Sequence, residues 1–290
     1  GRLAAKGHQI RLAVRDPRVD LAIIETARGG LMRRGLPIPQ ADVCLLTNIA
    51  ADHLGGYGIT DVPSLADAKF LLADAVKPGG RLVLNADDPE LVKRSARFGG
   101  DITWYGLDID PTMRDIWIKN GGRIAYVDDG QLVLARDGER HAVLSVADFK
   151  PGMNGAAKFN VSNALGAICL ADALGLPIAA MTKGLSGFTG SPDENPGRGN
   201  FIEVGGITLL VDFAHNPHGI LALAEAVSSI PAKRRLFLAG QAGDRSDQDT
   251  REMTQAIWTA KPDMVVIKEL PKKLRGRKLG ELSAVIMDEL

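Results

Sequence analysis

Short apolar runs alternate with helically spaced apolar residues along most of the chain. Residues 21–24 (Leu-Ala-Ile-Ile), 43–46 (Val-Cys-Leu-Leu) and 81–84 (Arg-Leu-Val-Leu) are such runs. They end at Glu25, at Thr47-Asn48 and at Asn85-Ala-Asp-Asp88 respectively. Runs this short and this apolar predict buried strands of a parallel sheet. Between the last two, Leu65, Ala68, Leu72 and Val76 recur at helical spacing, and Lys77-Pro-Gly-Gly80 is expected to stop that helix. The rhythm is βαβ, which predicts an α/β fold. Ligands of such sheets gather at the carboxyl ends of the strands. Glu25, Asn48 with His53, and Asn85 with Asp87 are therefore candidates to line one crevice. The alternative is that they are loop and cap residues, and Asp88-Pro89 followed by Glu90 reads as a helix start.

The pattern changes over residues 102–144. Runs at 102–105, 115–118, 123–127 and 131–134 read as short strands, and Asp128-Asp129-Gly130 and Asp137-Gly138 read as hairpin turns. A small antiparallel insert is expected here, followed by a helix over 159–174. Residues 185–200 are rich in Gly, Pro, Ser, Asp and Asn, a linker composition. A second α/β rhythm follows, with strands at 207–211, 235–239 and 264–267 and helices at 218–230 and 249–260. The expected division is 1–189 and 190–290.

Composition narrows the function. The 290 residues are 45% hydrophobic, and 35 Lys+Arg balance 35 Asp+Glu. A neutral globular chain has no basic footprint for nucleic acid or an anionic membrane. No apolar run reaches the ~18 residues of a membrane span. Cys44 and Cys169 are too few for a disulfide framework, and their apolar neighbours mark them as reduced core residues. The chain is expected to be cytoplasmic, and assembly with copies of itself is left open.

Seven segments carry candidate chemistry. Glu25-Thr-Ala-Arg-Gly-Gly30 offers a carboxylate for a hard cation such as Mg²⁺, and Gly29-Gly30 would let backbone approach a ligand. His53 follows the second strand, where a lone histidine is more often an ordinary loop residue. Lys69 lies beside an apolar helix stripe, where a lysine more often snorkels to water. Asn160 and Asn163 share a helix face and could read an adenine edge, although Asn160 could equally cap the helix. Arg198, in the linker, could match a phosphate bidentately. Asp212-Phe-Ala-His215-Asn216-Pro217 packs polar groups between a strand and a helix. Gly240-Gln-Ala-Gly-Asp244-Arg245 is a polar loop with a basic tip.

Taken in order, these segments resemble the Mur ligase family. ETARGG, NADDP, DFAHNP, AGDRSDQD and LRGR (residues 274–277) look most like the C-terminal ligase region of cyanophycin synthetases. The resemblance implies a central P-loop-type parallel-sheet domain followed by a Rossmann-like C-terminal domain. It implies an ATP-dependent ligase that joins an amino acid to a carboxylate acceptor, a peptide or polymer, through an acyl phosphate. Glu25 and His53 match the family's magnesium ligands, and Lys69 matches a lysine that many members carry as a carbamate. Asn160 and Asn163 match the adenine-contacting helix and Arg198 a phosphate-reaching arginine. Asp212 matches the residue near the ribose, with His215 and Asn216 in the adjoining loop. Asp244 and Arg245 lie where the amine substrate approaches. The family's G-x-x-G-K-[ST] phosphate cradle does not occur in the 290 residues, so the chain is expected to be a fragment that does not turn over alone. A P-loop-less nucleotide-binding relative and a stand-alone ligase with another acceptor remain alternatives. A dinucleotide oxidoreductase does not fit, because no G-x-G-x-x-G follows any predicted strand.

Overall fold

The computed structural model describes residues 14–51 and 54–290. Its contacts divide the chain into two units. One runs as far as Val143 and adds Ser162–Met181; the other takes Leu144–Val161 and Thr182–Leu290.

The first unit is built on a six-stranded sheet of β1 (Ala41–Leu46), β2 (Val76–Asn85), β3 (Asp101–Tyr105), β4 (Arg123–Asp128), β5 (Gln131–Arg136) and β6 (Glu139–Ser145), in sequence order across the sheet. The first three pairings are parallel and β4–β5 is antiparallel. Helix α1 (Arg28–Arg34) precedes β1. Helix α2 (Val62–Phe70) starts at a reciprocal Asp61–Ser64 capping box and tightens into a 3₁₀ turn, Leu71–Ala75, before β2. Helix α3 (Pro89–Ser95) begins at Asp88, with Pro89 at its first position. The apolar faces of β1 and β2 meet Phe70, Ala73, Ala75 and Leu91 in one buried cluster.

Three sequence expectations change in this unit. Residues 21–24 form no strand, and Leu21 and Ile23 are 53% and 77% exposed. A four-residue run holds an extended ladder only with a neighbour alongside it, and among the described residues β1 pairs only with β2. Lys77-Pro-Gly-Gly80 does not merely end a helix, because it forms the irregular start of β2, where the register shifts against β1. Gly80 is required there: a Cβ would stand 2.7 Å from the Asp42 carbonyl.

The small antiparallel insert is also corrected. β3 joins the parallel sheet, and residues 115–118 lie in helix α4 (Pro111–Lys119), capped by Asp110. Only β4–β6 form the expected meander, and they extend the main sheet. Both predicted turns close as foreseen, with positive φ at Asp129 and Gly130 and at Asp137 and Gly138. Helix α5 (Lys158–Ala173) contributes Asp172, whose fully buried carboxylate accepts from Arg123 at 2.7 Å and Arg136 at 2.6 Å. This links α5 to β4 and β5.

Helix α6 (Ile178–Gly187) precedes a loop whose composition suggested a flexible linker. The loop is instead tied to itself. Glu194 accepts from the Thr189 amide and hydroxyl, and Asn200, 2% exposed, donates to the Gly190 and Asn195 carbonyls at 2.7 and 2.9 Å. The Thr189 hydroxyl beside Glu194 lowers its carboxyl pKa.

In the second unit β7 (Asn200–Val204) and β8 (Ile207–Val211) form an antiparallel hairpin. The expected strand at 207–211 thus pairs with β7. Helix α7 (Pro217–Ser228), β9 (Leu236–Ala239), helix α8 (Asp247–Trp258), β10 (Met264–Ile267) and helix α9 (Glu281–Glu289) follow, with β9 and β10 parallel. Ile220, Met253, Ile257 and Ile286 form the core under one face of that strand pair.

Candidate functional site

The segment leaving β1 is pinned from four directions. The Thr47 carbonyl accepts from the Asn85 amide at 2.9 Å and from the Tyr105 hydroxyl at 3.2 Å. The Ile49 N–H donates to the Asp88 carboxylate, whose other oxygen accepts the Glu90 and Leu91 N–H groups at the start of α3. Lys69, in the last turn of α2, donates from Nζ to the Asn48 carbonyl at 3.1 Å. It does not simply reach into water. Ile49 packs with Ile59, Leu65, Ala68 and Met32, so α1, α2 and the β1 exit share one small core.

This network sorts the sequence candidates. Asn85 and Asp88 are buried and act as ties. Asp87 accepts the Leu107 and Asp108 N–H groups at 2.6 and 3.1 Å, so it pins the loop after β3. Tyr105 joins the same network, a role no sequence signal marked. Its burial raises the phenol pKa. Glu25 lies in irregular chain and is exposed, so its carboxylate is not fixed at a strand end as expected. Gly29 and Gly30 are in α1, so they form no loop for backbone approach. His53 lies outside the described residues.

The second unit gathers another group. The β7–β8 hairpin places Asn200 opposite Val211, so Gly199 and Asp212 meet at its open end. Asp212 accepts the Gly199 N–H at 2.8 Å and the Ala214 N–H at 2.6 Å. Arg198 is thereby held beside Phe213, its guanidinium 5.1 Å from the ring centroid, and the ring of His215 lies tilted against Phe213 with centroids 5.2 Å apart. Phe213 is 57% exposed. Sequence reasoning passed over it, although an exposed aromatic after a strand-end carboxylate was the available signal. Asn216 caps α7 by accepting the Gly219 N–H at 2.7 Å. Asn160 does not cap α5; its amide donates to the Pro151 carbonyl at 2.8 Å. Asn163, one turn further along α5, is exposed.

Asp244 and Arg245 lie in the turn between β9 and α8, which Arg277 clamps. Its guanidinium donates to the Gly243 carbonyl at 3.2 Å, the Arg245 carbonyl at 2.7 Å and the Asp247 carboxylate at 2.6 Å. Gly243 admits no side chain, because a Cβ would stand 1.8 Å from the Leu274 carbonyl. AGDR and LRGR are therefore two halves of one structure.

Two family profiles account for most of the chain: the Mur ligase middle domain matches residues 5–171, and the Mur ligase glutamate ligase domain matches residues 197–286. The chain belongs to the Mur ligase family. Among its curated relatives, the cyanophycin synthetase of Synechocystis sp. is 34% identical over 274 residues, 94% of this chain and 31% of the relative. The UDP-N-acetylmuramoyl-L-alanyl-D-glutamate--2,6-diaminopimelate ligase of Thermosynechococcus vestitus is 31% identical over 232 residues, 79% of this chain and 43% of the relative. This Mur ligase family chain thus spans about a third of the length of the cyanophycin synthetases it matches. Among solved structures, the Mycobacterium tuberculosis folylpolyglutamate synthase complexed with ADP and AMPPCP aligns with a TM-score of 0.60 at 20% identity, covering 86% of this chain and 52% of that one. That likeness extends to the fold. Among the described residues no helix is long and apolar enough to cross a membrane.

Proposed function

We propose that the chain is part of a cytoplasmic ATP-dependent ligase that forms an amide between a carboxylate acceptor, peptide or polymer, and an amino acid, in the manner of cyanophycin synthetase. On this reading a central domain ends at residue 189 and a C-terminal domain begins at 190. The observation that carries the reading is the Lys69 ammonium drawn to the β1 exit, 3.1 Å from the Asn48 carbonyl, at the strand edge where α/β sheets take their ligands.

The chemistry follows from the reactants. A carboxylate is a poor electrophile, and oxide is a poor leaving group. Transfer of the ATP γ-phosphoryl to the carboxylate yields ADP and an acyl phosphate. The amine nitrogen attacks the carbonyl carbon, and the tetrahedral intermediate sheds phosphate while the nitrogen loses a proton. Catalysis of the transfer is mostly positioning and charge neutralisation. Arg198 would move from the Phe213 face onto a phosphate, and Lys69 would hold the reacting end. Asn160 and Asn163 would face adenine, Asp212 the ribose, and His215 and Asn216 the adjoining nucleotide. Asp244 and Arg245 would receive the amine. The exposed Glu25 carboxylate is a hard oxygen donor that fits Mg²⁺, with His53 as the second expected ligand. Among the described residues no three metal-binding side chains cluster. Bound there, Mg²⁺ would neutralise phosphate charge.

The test is calorimetric binding of ADP to the chain and to Arg198→Ala, with phosphate release assayed on ATP, a β-aspartyl acceptor peptide and arginine. The expected result is ADP binding weakened about tenfold in Arg198→Ala, with no turnover by the 290 residues alone. Absence of ADP binding would remove the nucleotide reading. Turnover by this chain would show that it needs no further phosphate cradle. Equal ADP binding by both proteins would remove Arg198 from the site.

A further inference from the structure

Arg28, in the 25–30 motif, is a cation with no role so far. It opens α1, and its guanidinium reaches the 54–59 loop, 5.9 Å from the Tyr57 ring centroid. Nη2 also lies against Gly56, where a Cβ would stand 3.6 Å away, at ordinary contact distance. Nη1 is buried and, among the described residues, has no hydrogen-bond partner. Arg28 and Met32 are four residues apart and share a face of α1. Met32 packs against Ile59, Leu65 and Ala68, the same cluster that holds Ile49 of the β1 exit. The α1 face that carries Arg28 therefore borders the segment tied to Lys69.

A half-buried guanidinium with an unanswered donor is a poor packing element. Burying an N–H without an acceptor costs free energy, and a neutral chain of equal length would cover Tyr57 without that cost. The arrangement becomes favourable when an oxyanion supplies the acceptor. We propose that Arg28 is an anion-binding residue at this edge of the sheet, taking a phosphoryl or carboxylate oxygen of a reacting ligand. The proposal rests on the ligase reading, in which both oxyanions are reactants. It assigns a specific cation to them, on a helix packed against the one that carries Lys69.

Titration calorimetry on the 290-residue chain tests this with four probes: ADP, pyrophosphate, N-acetyl-L-aspartate and, as a neutral control, adenosine. Arg28→Met keeps the length and removes the charge, whereas Arg28→Lys restores a cation. In Arg28→Met, affinity for at least one anion should fall about tenfold or more, with adenosine unchanged and Lys recovering part of the loss. A fall confined to pyrophosphate and ADP identifies a phosphoryl ligand, and one confined to N-acetyl-L-aspartate a carboxylate. The melting temperature of Arg28→Met should not drop, since an unanswered buried donor is removed. A wild-type chain that binds none of the three anions would overturn both the proposal and the nucleotide reading, whereas anion affinities unchanged in Arg28→Met would overturn the proposal while leaving the nucleotide reading in place. A chain that binds pyrophosphate through Arg28 but neither ADP nor adenosine would do the reverse.

Discussion

The Asp88 carboxylate accepts the main-chain N–H of Ile49, 39 residues earlier, while its other oxygen caps α3. One buried side chain thereby holds the β1 exit to the helix after β2. Asp88→Ala removes the cap and strands the Ile49 N–H, and should cost about 2–4 kcal/mol in urea unfolding. Asp88→Asn keeps acceptor capacity and should cost less. Equal losses in both would mean that the charge, rather than the geometry, sets the effect.

Asp172 is paired with Arg123 and Arg136 inside the first unit. Asp172→Ala leaves two guanidinium groups without their buried partner and should destabilise the chain by about 3–5 kcal/mol. The denaturant midpoint measures this. A change below 1 kcal/mol, about the worth of a surface pair, would show that water replaces the carboxylate.

Two glycines should respond with opposite sign. Gly243→Ala drives a Cβ into the Leu274 carbonyl and should cost about 1–3 kcal/mol or more. Gly30 is helical, and a Cβ there meets nothing within 4 Å, so Gly30→Ala should stabilise by about 0.5–1 kcal/mol. Thermal unfolding of both variants gives the two signs directly.

Burial pushes the Cys44 thiol up from the ordinary 9.0 to about 11, and burial also raises Cys169. Both should resist thiol reagents at pH 8 in the folded chain and react once it is unfolded. Because the folded-state pKa is the higher one, the contribution of Cys44 to stability is present below pH 9 and lost as pH rises through about 11. Urea midpoints between pH 9 and 11 should therefore fall less steeply in Cys44→Ala than in the parent. Parallel slopes would show that Cys44 does not titrate differently in the two states.

Most helices and several strands were legible because each is written locally. Leu65, Ala68 and Leu72 mark α2, Asp88-Pro89 marks the start of α3, and Asp-Gly pairs mark the turns of the β4–β6 meander. Residues 115–118 misled because Ile-Trp-Ile suits a strand, while Asp110 and Pro111 upstream make them the end of a capped helix. The loop before β7 misled for another reason. Gly, Pro and Asn compose flexible linkers and tightly hydrogen-bonded loops alike, and only the partners found by Asn200 and Glu194 separate the two.

By itself the sequence determined the α/β class, the two cysteines as core residues and the order of motifs that marks the family. Each depends on residue type and spacing along the chain. Tertiary structure alone decided which of those residues meet. It sent Lys69 to the Asn48 carbonyl, turned Asn85 and Asp88 into ties, laid Arg198 on Phe213 and locked AGDR to LRGR through Arg277. Those contacts join positions up to 39 residues apart. Local propensity cannot encode such a partner, because the hydrogen bond exists only once both segments have been brought to the same place.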